Sequence, residues 1–346
     1  MTPPSTATPP VNWPLLGGLR FVLALVVVLG HSAVLVPWNG GALGGWAGGF
    51  AAVIAFLVIS GYSIAHSASL HSVWRFYARR AQRILPAYWA ALLFAMVPFV
   101  AYGVMLDAPV GPAMEQPTWP EFMASVLALP SVLGPPQVNF TPSWSLGCEV
   151  ALYLCAPLLV FAKKKTLLAL AAISIFMYLQ GLGPDGLRKP MVVAWPFLIG
   201  WLLYTYPNRN WIRMVGVAAP GAIWAASPVW PAPGGALLVL VSCALIAYNR
   251  QIKTPQYMTG LANYLGDLSY PLYLIHMPMF YLIWFSTNAQ FAPWVYIGSA
   301  MAASMLIHHA IERPFREYAK WRAARSNRGA AQNHHVPNRV IPASAE

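Results

Sequence analysis

The residues of this sequence that could do chemistry are few, and they lie in apolar company. The stretch GLRFVLALVVVLGHSAVLVPW (residues 18–38) keeps Arg20 and His31 inside what otherwise reads as a membrane span. The two are eleven residues apart. That is about three turns at roughly 3.6 residues each, so they share a helix face and are separated by about 16 Å along its axis. Glu149 stands alone in TPSWSLGCEVALYL, His276 follows Asp267 in GDLSYPLYLIHMP, and VWRFYARRAQRILPAYW supplies Arg75, Arg79, Arg80 and Arg83. An ionisable side chain at membrane depth is costly and reads first as functional. The chemistry on offer is specific. An imidazole can take a proton, a carboxylate beside it can fix its tautomer and raise its basicity, and guanidinium forks grip phosphates.

These residues must be positioned by membrane helices. The chain has 346 residues, of which 58% are hydrophobic and 9% charged, against roughly 25% charged in a soluble domain. Its mean hydropathy is +0.55. Repeated apolar runs of about 20 residues give an all-α, polytopic transmembrane bundle. Ten helices are expected, over about 15–36, 46–66, 84–106, 143–162, 166–182, 190–206, 211–228, 234–249, 264–286 and 292–311. The run 122–133 is too short to cross and is bounded by prolines, as in a re-entrant or interfacial piece of the 107–142 loop. Residues 1–14 read as a disordered Pro/Thr-rich tail, 15–318 as the transmembrane domain and 319–346 as a basic disordered tail.

The net charge of +12 belongs to topology rather than to nucleic acid, since no basic strip is interleaved with aromatics. With both termini in the cytoplasm, eighteen Lys and Arg fall on inner segments and two, Arg188 and Lys189, on outer loops, as the positive-inside rule requires. Cys148, Cys155 and Cys243 lie in apolar segments and read as packing residues. The pairs His308–His309 and His334–His335 have no further ligand at metal spacing, so no metal is expected.

Topology turns position into depth. Counted from the outer ends of their spans, His31 lies about 7–8 Å down and Glu149 about 9 Å down, so the two are expected to meet in one layer. Arg20, Ser60, Tyr62, the arginines of 75–83 and Asp267 form a second layer toward the cytoplasm, fit for a polyphosphate ligand. His276, near mid-membrane, extends the polar path. Plainer accounts exist for each. Arg20 can snorkel to headgroups, the 75–83 arginines can anchor on anionic lipid, His31 can be an interhelical hydrogen-bonding residue, and Glu312 a structural ion-pair partner. A transporter or flippase for an anionic or glycan solute would also use intramembrane His, Glu and Arg, but no internal repeat of the transporter kind is visible.

Six stretches in series resemble the acyltransferase-3 family of bacterial integral-membrane O-acyltransferases. These are Arg20-x10-His31, FLVISGY (56–62), FYARRAQRILPAYW (76–89) with its Arg80-x-x-Arg83 element, WSLGCE (144–149), LGDLSYPLYLIHMP (265–278) and IERPFR (311–316). One departure is Gly147-Cys148, where larger residues are expected before the glutamate. The resemblance implies a ten-helix enzyme of the bacterial inner membrane. It would move an acyl group, commonly acetyl from acetyl-coenzyme A, to a hydroxyl of a glycan or, in some members, of a small molecule such as a macrolide. His31 and Glu149 would then be catalytic, with His31 as base or acyl carrier. Arg20, Ser60, Tyr62, Arg79, Arg80, Arg83, Trp144, Ser145, Asp267 and His276 would bind the acyl-coenzyme A and the acceptor.

Overall fold

In lipid every backbone polar group must be satisfied within its own segment, and a chain this apolar therefore has helix as its main solution. The computed structural model describes residues 9–35, 45–103, 105–106, 114–181, 188–227, 234–287 and 291–333. The helices are α1 (Trp13–Leu35), α2 (Gly49–Leu70), α3 (Val73–Tyr102), α4 (Trp119–Val126), α5 (Ser143–Leu159), α6 (Lys164–Leu179) and α7 (Arg188–Val192). They continue as α8 (Ala194–Thr205), α9 (Asn210–Ala225), α10 (Gly235–Ala247), α11 (Gln256–Thr287), α12 (Pro293–Ile307) and α13 (Arg313–Asn333). A single π-helical turn, His308–Glu312, joins α12 to α13. Among the described residues the β structure is a two-residue antiparallel ladder, Met105–Leu106 on Met114–Glu115. The all-α expectation is met.

Each of the ten expected segments contains a helix, but among the described residues only five stretches are long and apolar enough to cross a membrane by length and composition. They are Trp13–Ala33, Gly49–Leu70, Val73–Tyr102, Gln256–Ser286 and Pro293–Arg322. Ser143–Leu159, Ala194–Thr205 and Gly235–Ala247 are apolar but shorter. At about 1.5 Å per residue none of these three reaches the roughly 30 Å of a hydrocarbon core. Outside, large apolar side chains such as Val100 (87% exposed) and Phe161 (84%) face outward, a surface suited to lipid and not to water.

Two expected boundaries are corrected. The third helix begins at Val73 rather than near 84, so Arg75, Arg79, Arg80 and Arg83 ride on helix instead of in a loop. Arg, Ala and Gln favour helix and no breaker intervenes before Pro86, so the helix outruns its apolar stretch. At the other end α13 continues to Asn333, well past residue 318. Its Ala- and Arg-rich run carries an i,i+4 pair, Arg313 Nε to Glu317 Oε1 at 2.9 Å. The N-terminal residues 1–8, His334, His335 and the rest of the C-terminal stretch lie outside the described residues.

Three contacts hold the site-bearing helices. Asn12 caps α1 by accepting from the Leu15 N–H (3.1 Å), while its Nδ2 donates to the Ile252 carbonyl at 2.7 Å. This ties the start of α1 to the turn before α11. Further along, Ala24 and Val28 of α1 pack with Leu272, Met277 and Phe280 of α11. On the other side α2 lies backbone to backbone on α8, because a Cβ on Gly61 would overlap the Phe197 carbonyl and one on Gly200 the Val58 carbonyl. Gly61→Leu should therefore split α2 from α8. We expect a loss of about 1–3 kcal/mol or more, read as a lowered midpoint of thermal unfolding in detergent.

Candidate active site

Five helices enclose a cavity with about 870 Å³ of empty space, part of it continuous with the outside. Arg20 of α1, Ser60 and Ser63 of α2, Arg80 and Arg83 of α3, Glu149 and Tyr153 of α5 and Tyr273 of α11 all line it. Arg83 is exposed, so the cavity opens beside it. At this basic end most of the polar groups are held by one another. Arg20 Nη2 donates to Ser63 Oγ at 2.7 Å, and Ser63 Oγ donates to the Ile59 carbonyl at 2.8 Å. Arg80 Nη2 donates to Ser67 Oγ at 3.1 Å, leaving its Nε buried without a partner. The Tyr153 hydroxyl donates to Glu149 Oε1 and lies 3.1 Å from Ser60 Oγ. Three guanidiniums thus face one carboxylate across the cavity, an imbalance that favours an anionic ligand.

At the far end Ser145 Oγ and the Tyr273 hydroxyl share a hydrogen bond of 2.7 Å. Beyond Tyr273, whose ring centroid is 6.1 Å from that of His276, lie the two histidines. His31 Nδ1 is 2.9 Å from His276 Nε2, and the rings stack with centroids 5.1 Å apart. His276 is fully buried, and its Nδ1 is 3.2 Å from the Leu272 carbonyl. A carbonyl can only accept, so His276 Nδ1 carries the hydrogen and His276 Nε2 offers a lone pair. His31 must then donate from Nδ1, which leaves His31 Nε2 as a bare acceptor. Geometry assigns both tautomers.

The expected pairing of His31 with Glu149 is corrected. Among the described residues no hydrogen bond or ion pair joins them; His276 occupies the imidazole and Tyr153 the carboxylate. The cause is where α5 starts. A Cβ on Gly147 would overlap the Pro130 carbonyl, so the segment 128–142 folds into the bundle, burying Ala128, Pro130, Ser131, Asn139 and Phe140. The helix begins beneath this segment, with Ser145 already level with Tyr273. Glu149 is one turn further along α5 and His276 nearly one turn away in the opposite direction, which separates them by about 10 Å along the axis. Gly147, the departure from the family pattern, is what this close approach needs.

Of the expected residues, Arg20, Ser60, Arg80, Arg83 and Ser145 line the cavity with Glu149, whereas six do not: His31 and His276 lie past Tyr273, and four others are turned elsewhere. Tyr62 accepts from Arg250 Nε at 3.1 Å and faces a second cavity. Arg79 is exposed on the outer face of α3. Trp144 stacks on Phe50 (centroids 5.6 Å) beneath the Lys189 ammonium, 4.8 Å from its ring. Asp267 takes both prongs of Arg316, at 2.9 and 3.2 Å. Sequence reasoning missed Ser63, Tyr153, Tyr270 and Tyr273. A signal existed: Ser63 follows Ser60 by three, Tyr153 follows Glu149 by four, and Tyr273 precedes His276 by three, all spacings that share a helix face.

A family model described as an acyltransferase domain matches residues 14–311, a span that holds the whole cavity and both histidines. The chain belongs to this acyltransferase family. As a family member it is a multi-pass membrane acyltransferase, in keeping with its long apolar helices. It is 26% identical over 369 aligned residues to a protein of Komagataeibacter xylinus named as a membrane-bound transacylase, BcsY, covering 91% of this chain and 86% of that one. It is also 33% identical over 158 residues to the acyltransferase MdmB of Streptomyces mycarofaciens, covering 43% of this chain and 39% of the other. No solved structure matches this acyltransferase.

The Ser145–Tyr273 bond offers a direct check on the upper cavity. Ser145→Ala and Tyr273→Phe should each destabilise the enzyme, and the double variant should show a coupling of about 1 kcal/mol in thermal unfolding.

Proposed function

We propose that this acyltransferase takes an acyl group, acetyl in the first instance, from cytoplasmic acyl-coenzyme A and places it on a hydroxyl of a glycan or related cell-surface acceptor. In this reading both termini face the cytoplasm of a bacterium, the protein sits in the inner membrane, and the open mouth beside Arg83 admits the donor. What supports it is a cavity with guanidiniums at one end and a hydroxyl pair at the other, and, past Tyr273 and outside the cavity's lining, a histidine pair that leaves His31 Nε2 as an acceptor.

Each residue then has a physical task. Arg20, Arg80 and Arg83 meet the phosphates of the donor, with Arg80 Nε as an unspent donor. From the level of Tyr153 to that of Ser145 is eight residues of α5, or about 12 Å, a run suited to a long thin arm carrying the thioester. His31 Nε2 takes the proton of the acceptor hydroxyl as that oxygen attacks the thioester carbonyl. The C–S bond breaks, and the departing thiolate recovers the proton from the imidazolium. The same lone pair can instead attack the thioester carbonyl, expelling the thiolate and leaving the acyl group on Nε2 as an acyl-imidazole, from which the acceptor hydroxyl takes it while its proton passes to the thiolate. One hydrogen of the Ser145–Tyr273 pair is spent on their shared bond, so with Ser145 donating to Tyr273 it is the Tyr273 O–H that is left for the oxyanion, a task for which Tyr62, turned toward Arg250, is no longer a candidate. His276 acts through His31: it fixes the tautomer and does not touch the substrate.

Purified enzyme given radiolabelled acetyl-coenzyme A and candidate glycans should release free thiol and label the glycan. His31→Ala should abolish both, and solute flux without thiol release would sink the reading in favour of transport. Arg80→Gln and Arg83→Gln should each raise the apparent KM for acetyl-coenzyme A by about tenfold, the worth of a charged hydrogen bond. His276→Phe should lower kcat while leaving that KM in place, because it disturbs only the orientation and tautomer of His31.

A further inference from the structure

On the other side of α2 lies a second cavity, with about 550 Å³ of empty space including its opening. It is lined by Tyr62, Asn208, Arg213, Arg250 and Gln251, together with apolar residues, and no carboxylate is among its lining residues. Two cations therefore share one concavity without a counter-charge, and among the described residues neither Arg213 nor Arg250 forms an ion pair. Uncompensated charges brought together out of bulk water are costly, and the cost falls when an anion joins them.

Both guanidiniums are held in place. Arg250 donates from Nε to the Tyr62 hydroxyl (3.1 Å) and from Nη1 to the Pro9 carbonyl (2.8 Å), and its Cζ lies 5.5 Å from the centroid of the Tyr204 ring. Tyr204 is held in turn by His66, whose Nδ1 is 3.0 Å from the tyrosine hydroxyl. Arg213 lies over the Tyr248 ring with its Cζ 5.8 Å from the centroid, and its Nε is buried without a partner. The helix α9 begins at Asn210, beside the lining Asn208, and adds the positive end of its dipole to the rim. Fixed planar forks, an unspent N–H and two side-chain amides suit a tetrahedral oxyanion.

We propose that this second cavity is a binding site for a phosphate group, distinct from the acyl-transfer cavity and held by Arg213 and Arg250. The group is carried either by a soluble phosphate or by the head of an anionic lipid at the membrane edge. It goes beyond the proposed reaction and does not depend on it.

The test is a binding titration that needs no turnover. Full-length protein in a maltoside micelle, which carries no phosphate, is titrated with radiolabelled inorganic phosphate by equilibrium dialysis. Wild type should bind saturably, Arg213→Gln should lose at least tenfold in affinity, and Arg250→Lys, which keeps the charge but not the fork, should lose several-fold. Lys165→Gln, an exposed charge elsewhere, should bind as wild type does. A parallel titration of Arg80→Gln reports phosphate held in the first cavity, so the two sites are counted apart. Repeating the titration in phosphatidylglycerol nanodiscs separates the sources. If a lipid head fills the site, phosphate uptake falls and the lipid is retained by wild type more than by Arg213→Gln. If the ligand is soluble, uptake persists. Equal phosphate affinity in wild type, Arg213→Gln and Arg250→Lys would overturn the proposal. So would the absence of phosphate binding in micelles together with equal lipid retention by wild type and Arg213→Gln.

Discussion

A buried imidazole that spends its Nδ1–H on a carbonyl one turn back has one nitrogen left, and that nitrogen can only accept. His276 is so placed, with Nδ1 on the Leu272 carbonyl and Nε2 on His31. Everything reactive about the site follows from this order of hydrogen bonds. The direction runs from backbone to His276 to His31 and ends on a lone pair with no hydrogen-bond partner among the described residues. A carboxylate in the place of His276 would make His31 more basic but would bury a charge among Ala24, Val28 and Phe280. A second neutral ring fixes the same tautomer without that penalty.

The remaining polar groups are arranged so that charge gathers at one end of the cavity, while the histidine pair lies past Tyr273 at the other. Glu149 lies with the arginines, bound by Tyr153 and linked through it to Ser60, where it offsets part of the positive charge. The far end carries the uncharged hydroxyls of Ser145 and Tyr273, and apolar residues such as Val53, Phe56 and Leu57 also line the cavity. In the proposed reaction, a thioester donor on this path would leave its phosphates in a charged setting and bring its carbonyl into a neutral one. There a developing oxyanion is worth more to stabilise than it would be in water.

Much of this was legible in the sequence, and the losses have definable causes. Arg20 and His31 announced themselves because a charge and an imidazole are out of place among valines, and their eleven-residue spacing gave the shared face that the structure displays. Arg80 and Arg83 were found for the same reason. Depth alone misled for Glu149, because counting from the end of a helix assumes that the end lies at the surface. The buried segment before Ser143 breaks that assumption, and nothing in the local hydropathy of 128–142 reveals how far it sinks. Tyr62 was misassigned by azimuth: it is one residue from Gly61, whose bare Cα lies on α8, and so points away from Ser60 and Ser63. Tyr153 and Tyr273 escaped because tyrosines in membrane spans are usually read as interfacial belt.

The close approach of Gly147 to Pro130 has a consequence for how such an enzyme can diverge. Because α5 starts beneath the buried segment 128–142, the ceiling over that end of α5 is loop and one 3-10 turn (Val138–Phe140) and not a spanning helix. Loops tolerate insertion and exchange far better than packed spans do. The helical walls can therefore keep one chemistry while the ceiling is recut to admit a different recipient, provided that one glycine stays bare.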